Sequence, residues 1–423
     1  MKIVFINLKD IEGGAGIAAY RLSQGLERYF HTENYFIVGK KLSSDARVFP
    51  TIDSPSETVR EVKLFIEFMT NKLLNRLGLQ YVYFPFSTRF ILKKVNELKP
   101  DVISLHVTHG GYFKTSLIRD LSRLAPVVWT LHDMWPFTAN AAHTFGDESW
   151  KQLKSGSHET AIYPHIGWNT GKWLLKRKKN IYKNANIRMI APSQWMADQA
   201  RQSPVFENKP IHRITHGLDL DFFKPLDKTS CKKALHLDAN ARVLMFSSAD
   251  DLEHSPWKGG QLLIDILTAI DSKIQGKHRL EVLVLGKGRL SGLQHLKNLT
   301  LHPIGHFHSE TLIRTLFCAS DLFIYPTRAD SLGLVLVESI ACGTPCITFA
   351  IGGCTDVIQN GISGYLIEPF DTNLFADKAV ELLNDPETRD ALSRSARSYA
   401  ETHFGLKTMA EKYHEIFKIF AAL

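Results

Sequence analysis

The sequence predicts a two-domain α/β chain built on two doubly wound parallel sheets. Three observations predict it: short apolar runs recur along the chain, each is followed by a helical stretch, and the series restarts after a polar break near residue 222. In the first half the runs are Ile3–Leu8, Tyr35–Val38, Val102–Leu105, Val127–Leu131 and Arg188–Ile190. In the second they are Val243–Ser247, Leu280–Leu285, Leu322–Tyr325, Cys346–Phe349 and Tyr365–Ile367. Apolar strands joined through helices imply parallel sheets covered on both faces, and so many strands exceed what one sheet of this kind carries. The break is Asp221-Phe-Phe-Lys-Pro-Leu-Asp-Lys-Thr-Ser230. It gives domains of 1–222 and 223–423, with a return of the last helices to the first domain left open. Lys407–Phe420 is helical by pattern, as is the region around Phe65, Phe68 and Leu73, which precedes the aromatic run Tyr81-Val-Tyr-Phe-Pro-Phe86.

With 423 residues, 44% hydrophobic and 22% charged, the chain can build substantial cores, which excludes disordered, fibrous and disulfide-stapled classes. The first apolar run meets Lys9 and Asp10 before a secretory segment could form, and no apolar stretch reaches the roughly 20 residues of a membrane helix. A soluble or peripheral protein is expected. The five cysteines all lie from Cys231 onward without a CxxC pair, and Cys342, Cys346 and Cys354 sit in apolar sequence. They read as buried thiols in a reducing cytoplasm rather than as metal ligands. The net charge of +8 calls for an anionic partner. No nucleic-acid module is recognisable, which leaves a phosphorylated small molecule or an anionic membrane surface. The densest basic run is Lys172–Lys183, which holds no acid and has Trp173, Leu174, Leu175, Ile181 and Tyr182 interleaved. It reads as a solvated amphipathic helix or as a foot on the inner leaflet of the cell membrane.

Ligands of open parallel sheets bind beyond the carboxyl ends of the strands, so the loops there carry the chemistry. Gly13-Gly14-Ala15-Gly16 follows the first run. Its glycines allow close approach and its helix-start amides suit an anion, but the spacing is not GxGxxG and gives a dinucleotide little support. His132-Asp133 follows Val127–Leu131 with the reach to bond sugar or acceptor hydroxyls, and His132 is a candidate proton shuttle or a satisfied structural histidine. His106, with His109-Gly-Gly111 behind it, takes the matching place after another strand. In the second half, Lys258-Gly259-Gly260 sets a cation beside a helix start, which suits a diphosphate. Asp330 and Glu338 bracket an apolar helix that opens after Gly333 and is ended by Gly343 and Pro345. A buried carboxylate such as Glu338 needs good donors, and ligand hydroxyls are suitable ones. Gly352-Gly353 is a third loop of close approach.

On these residues the chain resembles, over nearly its whole length, the retaining glycosyltransferases of family 4, which have the two-domain GT-B fold. The most specific part is Asp330 to Pro345, similar to the family's acid-x7-Glu segment with its Ala-Cys-Gly-Thr-Pro. The early glycine loop, Leu131-His-Asp133, Ala191-Pro-Ser-Gln-Trp195, Gly217-Leu-Asp219 with Phe223-Lys-Pro225, Lys258-Gly259 and Gly352-Gly353 complete it. His132-Asp-Met-Trp135 with Phe137-Thr138 further resembles a branch acting in cell-surface polysaccharide assembly. The resemblance implies a cleft between the domains, where a sugar passes with retention from a UDP- or GDP-sugar to a saccharide or lipid-linked saccharide, with no metal or other cofactor. It implies donor binding by Gly14, Lys258, Gly333, Leu334, Val335, Glu338 and Gly353, with Glu338 on the ribose and Lys258 on the diphosphate. His132, Asp330 and Lys258 take the catalytic places, and His106 and Asp133 the acceptor side. Asp219-x-Asp221 and Asp250-Asp251 tempt a metal reading, which this resemblance sets aside.

Three departures stand out. Asp330 replaces the usual Glu. Ser247-Ser-Ala-Asp-Asp251 lacks the Arg that commonly precedes the Lys, leaving Arg289 or Arg328 to substitute. Ala139-Asn-Ala-Ala-His143 replaces a cysteine-rich loop. The third removes any metal that loop would bind, and the first two keep a second reading open, a non-catalytic nucleotide-sugar-binding or partner protein of the same fold.

Overall fold

The computed structural model describes residues 1–154, 161–251, 257–274, 280–287, 291–293, 295–305 and 309–422, the side chains of 248–251, 287 and 291 excepted. The chain divides into two compact units, Met1–Gly217 with Leu406–Leu423, and Leu218–Gly405. The division thus lies at Gly217 rather than at 222.

In the first unit, strands β1 (Lys2–Lys9), β2 (Glu33–Lys40), β3 (Val48–Pro50), β4 (Val102–Leu105), β5 (Val127–Thr130), β6 (Ile187–Ala191) and β7 (Ile211–Arg213) form one parallel sheet. Its helices are α1 (Gly13–Phe30), α2 (Glu57–Arg76), α3 (Pro85–Leu98), α4 (Leu117–Leu121), α5 (Gly171–Lys183) and α6 (Gln194–Gln202). The strand order is β3-β2-β1-β4-β5-β6-β7. Successive β1 side chains alternate between two cores, Val4 and Ile6 entering one and Ile3 and Phe5 the other, as a sheet covered on both faces requires.

The second unit repeats the plan. It runs α7 (Lys228–Ala234), β8 (Arg242–Asp251), α8 (Gly260–Lys273), β9 (Leu280–Lys287), β10 (Leu299–Gly305), α9 (Glu310–Ala319), β11 (Leu322–Tyr325), α10 (Leu334–Ala341), β12 (Cys346–Phe349), α11 (Cys354–Val357), β13 (Gly364–Ile367), α12 (Thr372–Asn384) and α13 (Pro386–His403). The strand order is β10-β9-β8-β11-β12-β13, again all parallel. Winding reverses between β1 and β4 in one sheet and between β8 and β11 in the other, and at such switch points strand-end loops part to leave a crevice.

The predicted strands all form. The three that sequence patterning missed, β3, β7 and β10, are sheet edges. Val-Phe-Pro, Ile-His-Arg and the Pro303-bearing Leu299–Gly305 carry the polar residues and prolines that only edges tolerate, so they lack the apolar signature. The last helix, α14 (Leu406–Ala421), belongs to the first unit. A Cβ on Gly25 of α1 would lie 3.1 Å from Leu406 and 3.2 Å from Ala410, so this glycine lets the two helices close together. Tyr413 of α14 also shares a 2.9 Å hydrogen bond with Thr130 at the end of β5.

The basic run forms α5, an amphipathic helix with one face packed into its own unit. Leu174, Leu175, Ile181 and Tyr182 enter the core, and so does Lys178 at 2% exposure. The Lys178 ammonium donates to the carbonyls of Trp135 (2.5 Å) and Thr138 (3.1 Å) and lies 3.6 Å from the centre of the Trp135 ring. Lys179 pairs with Glu207 at 2.6 Å. The middle of the run therefore ties α5 to its own unit, and Lys172, Trp173, Lys176, Asn180 and Lys183 are what it shows to solvent.

Candidate functional site

In the second unit the switch point gathers Lys258, Tyr325 and Asp330. Lys258 follows β8, Tyr325 ends β11, and Asp330 lies in the loop between β11 and α10. The Lys258 ammonium donates to the Tyr325 hydroxyl (2.6 Å) and to Asp330 Oδ2 (2.8 Å), and the Tyr325 hydroxyl donates to the same carboxylate oxygen (2.7 Å). Asp330 Oδ1 accepts from the amides of Leu332 (3.1 Å) and Gly333 (2.8 Å). A carboxylate has about four lone-pair sites and an ammonium three N–H groups. Asp330 is thus fully engaged, whereas Lys258 keeps one N–H beyond these two partners.

The electrostatics follow the geometry. Burial favours the neutral acid, yet Lys258, Tyr325 and the Leu332 amide hold Asp330 below the usual carboxylate range. Burial likewise disfavours the Lys258 ammonium, but Asp330 and Tyr325 hold its pKa well above the ordinary lysine value. Burial and the Asp330 charge keep the Tyr325 hydroxyl protonated.

Glycines build this corner. Gly259 caps α8 at φ +67°, and a Cβ there would stand 2.0 Å from the Pro326 carbonyl oxygen, so Lys258 is pressed against the end of β11. Gly352 and Gly353 do the same for the Asp330 loop. Their added Cβ atoms would lie 2.4 Å from the Asp330 oxygen and 2.0 Å from that of Ser331, and the Gly353 amide donates to the Asp330 carbonyl (3.0 Å). The Gly333 and Gly353 amides, both expected at the donor, are therefore committed to Asp330. Leu334 and Val335 supply the first-turn amides of α10, a class that intrahelical bonding leaves over. Gly353→Ala is expected to destabilise the unit by about 3 kcal/mol through overpacking and to displace Asp330; a shift in the denaturant midpoint, accompanied by weaker donor binding, checks it.

Glu338 lies in the second turn of α10 and is buried, 6% exposed, among Leu336, Val337 and Ile340. Arg328 is exposed in the loop after β11, where its amide donates to the Trp257 carbonyl (2.6 Å). Arg289 and the Asp250-Asp251 side chains lie outside the described residues.

In the first unit the strand-end loops carry a column of rings. His132 stacks between His106 and His216, with ring centres 5.2 and 5.3 Å apart, and Phe5 continues the column beyond His106 at 5.8 Å. His106 Nδ1 shares a 2.8 Å hydrogen bond with His132 Nε2, and its Nε2 a 3.1 Å bond with Ser104. Asp133 bonds His109 Nε2 (2.7 Å) and accepts from the Trp135 amide (2.9 Å). Gly14 is exposed in the first turn of α1, which begins at Gly13, so the expected glycine loop is helix from its start.

Burial, with the neighbouring His216, pulls the His106 pKa down to about 3, and burial with the surrounding histidines carries His132 well below its usual value. Both rings are neutral near pH 7. That makes His132 a poor proton shuttle but leaves it able to bond a hydroxyl. Because the unfolded chain binds these protons first, stability should fall as pH drops below about 6.5, approaching about 1.4 kcal/mol per pH unit for each ring. His132→Phe keeps the stack and removes one titration. Its unfolding free energy between pH 7 and pH 5 should depend less steeply on pH than that of the parent, and an equal slope would contradict the assignment.

Comparison with known proteins agrees with this architecture. Residues 12–222 match the model described as Glycosyltransferase Family 4, and residues 232–399 match Glycosyl transferases group 1. The chain is 31% identical over 386 residues to D-inositol 3-phosphate glycosyltransferase of Geodermatophilus obscurus, covering 80% of each chain. It belongs to the family 4, group 1 glycosyltransferases. Another relative of this glycosyltransferase is N-acetyl-alpha-D-glucosaminyl L-malate synthase of Bacillus anthracis, 30% identical over 213 residues, or 50% of this chain and 54% of that protein. The match thus spans about half of that relative's length. Among solved structures, Anabaena Alr3699/HepE in complex with UDP and glucose superimposes with a TM-score of 0.67 at 18% identity, covering 99% of this chain and 100% of that one, a likeness of fold. The glycosyltransferase is accordingly of the GT-B fold.

Of the predicted residues, the structure unites Lys258 with Asp330 and with the Gly333 and Gly353 amides, and joins His106 to His132. Two members of these clusters escaped sequence reading. Tyr325 is the last residue of an apolar strand, and its hydroxyl at the strand's end was the available signal. His216 directly precedes Gly217 and was visible only as a third histidine beside a noted motif.

Proposed function

We propose that this glycosyltransferase moves a sugar, with retention of anomeric configuration, from a UDP- or GDP-sugar to a saccharide or lipid-linked saccharide of a cell-surface polysaccharide. The observation that carries the reading is the Lys258–Tyr325–Asp330 network at the β8/β11 switch point, which holds one ammonium N–H ready for an anion. Departure of a nucleoside diphosphate concentrates negative charge on its oxygens, and groups already fixed there stabilise that charge without reorganising. Lys258 and the first-turn amides of α10 are those groups, and Arg328 is near enough in the chain to add a second cation. Asp330 is a positioning residue in this scheme: its oxygens fix Lys258 on one side and the start of α10 on the other. The sequence-based expectation of a sugar contact through Asp330 is replaced by this role, which accords with its being one methylene shorter than the usual Glu. Glu338 anchors the ribose hydroxyls. His132 bonds a sugar or acceptor hydroxyl as a neutral ring, with Gly14 and Asp133 beside the acceptor. His106, expected on the acceptor side, is buried with both ring nitrogens engaged by His132 and Ser104, so it orients His132 instead.

The relatives' acceptors are an inositol phosphate and a malate by their names, so the polysaccharide acceptor rests on the His132–Thr138 segment alone. The HepE complex supports UDP as the base-bearing product. The test is incubation of the purified chain with UDP- and GDP-sugars and lipid-linked saccharides, with the product's anomeric proton coupling compared with the donor's. An unchanged anomer supports retention, and an inverted one overturns it.

A further inference from the structure

We propose that α2 is a membrane-contact element that lies flat on an anionic lipid surface. Its polarity is reversed relative to an ordinary surface helix, which buries its apolar stripe and hydrates its polar one. The buried side chain of α2 is Glu67, 3% exposed. The Glu67 carboxylate accepts from the Phe86 amide (2.7 Å), the Ser87 amide (2.9 Å) and the Ser87 hydroxyl (2.5 Å), so the helix is clamped to the start of α3 by polar contacts. Arg60, Lys63, Asn71 and Leu74 lie on the same side, half-buried. The other side presents Val62, Phe65, Phe68, Met69 and Leu73 at 44–64% exposure. An apolar face of this extent, on the outside of a folded unit, marks an interaction surface rather than scattered exposure.

Charge and aromatic placement select lipid as the occupant. At the carboxyl end of α2 the Gly167 amide donates to the Asn75 carbonyl (2.8 Å) and the Thr170 hydroxyl to that of Gly78 (2.5 Å). These bonds fasten residues 167–170 to the helix end and bring Trp168, 66% exposed, beside it, with Trp173 of α5 following at 44%. Indoles favour the boundary between headgroups and acyl chains. Lys72, Arg76, Lys172 and Lys176 are exposed at the same end. The acids Glu57 and Glu61 are confined to the opposite end, where Arg60 pairs with them at 3.4 and 3.1 Å. Lipid phosphates complement these cations, and the indoles beside them suit the headgroup boundary. No described helix is long and apolar enough to cross a membrane, so the contact is in the plane of the interface. The exposed lysines of α5 become its flank. The inference stands apart from the transferase reading, since it uses none of the residues placed at the donor or acceptor.

Flotation of the full chain with vesicles of phosphatidylcholine and phosphatidylglycerol in equal parts tests it. The parent should float with the vesicles, less so at high salt and with phosphatidylcholine alone. Phe65→Ser/Phe68→Ser/Leu73→Ser should lower the partition coefficient by roughly tenfold for each side chain removed, while its circular dichroism and its turnover of donor in solution stay those of the parent. Because these side chains are outside the core, the variant should fold. A parent that stays in the dense fraction, or a variant that floats as well as the parent, overturns the proposal. So does a parent dimer in sedimentation that the triple substitution renders monomeric, which would give the face to a second copy.

Discussion

Lys258→Ala is expected to lower donor turnover by roughly 10²- to 10³-fold, the effect of removing one preorganised donor from a developing oxyanion. It should also destabilise the second unit by about 3 kcal/mol, because Asp330 is left as a buried carboxylate without its cation. The two side chains are each 19% exposed, which places the loss toward the low end of what breaking a buried pair costs. The two effects can be separated. Lys258→Ala/Asp330→Ala removes both charges, so it should regain much of the stability and none of the turnover. Asp330→Asn alone should keep the two amide contacts in part but leave the Lys258 ammonium without its counter-charge, lowering kcat and also stability. If the double substitution restored turnover, Lys258 would be a structural cation. Initial rates of nucleoside diphosphate release, read beside thermal unfolding, give both quantities from one set of proteins.

Glu338→Ala is expected to weaken donor binding by roughly 10²-fold, since hydrogen bonds to a charged group contribute about 1.5–3 kcal/mol each and a ribose offers two hydroxyls. The ribose is remote from the bond that breaks, so the loss should fall more heavily on KM than on kcat, the reverse of Lys258→Ala. Glu338→Gln retains an acceptor and the side chain's volume, and should lose roughly tenfold. Equal loss of kcat and kcat/KM in Glu338→Ala would instead place this carboxylate at the reacting bond. The contrast between the two substitutions matters more than either size, because it separates a group used throughout binding from one used only as charge develops.

The sheets were legible because their central strands are nearly continuous apolar runs, Ile3–Leu8 and Val243–Ser247 among them, which few other structures require. The edges were not, because a strand such as Ile211–Arg213 must keep polar groups toward solvent and so looks like a loop. At the site, Lys258, Asp330 and Glu338 were legible as charges in apolar or glycine-rich settings. What sequence could not supply was the set of pairings. Gly353 reads as a phosphate loop, yet its amide and its missing Cβ serve the Asp330 loop. Lys178 reads as one more surface cation in a basic run, but helical phase turns it inward onto Trp135. Phe65 and Phe68 have the spacing of a core-facing stripe, and Glu67 between them takes the inward position by bonding the open end of α3. In each case a tertiary hydrogen bond decides the direction of a side chain whose local pattern admits either.

The claim at the centre of this account is that the second unit holds the diphosphate of a nucleotide sugar on Lys258. Calorimetric titration of the full chain with UDP-, GDP- and ADP-sugars, in parallel with Lys258→Ala, tests it most directly. One base should be bound in preference, its sugar should be released or transferred on longer incubation, and Lys258→Ala should lose binding of the free nucleoside diphosphate as well as turnover. Binding of no nucleotide sugar, or equal binding of the free nucleoside diphosphate by the parent and Lys258→Ala, would contradict it.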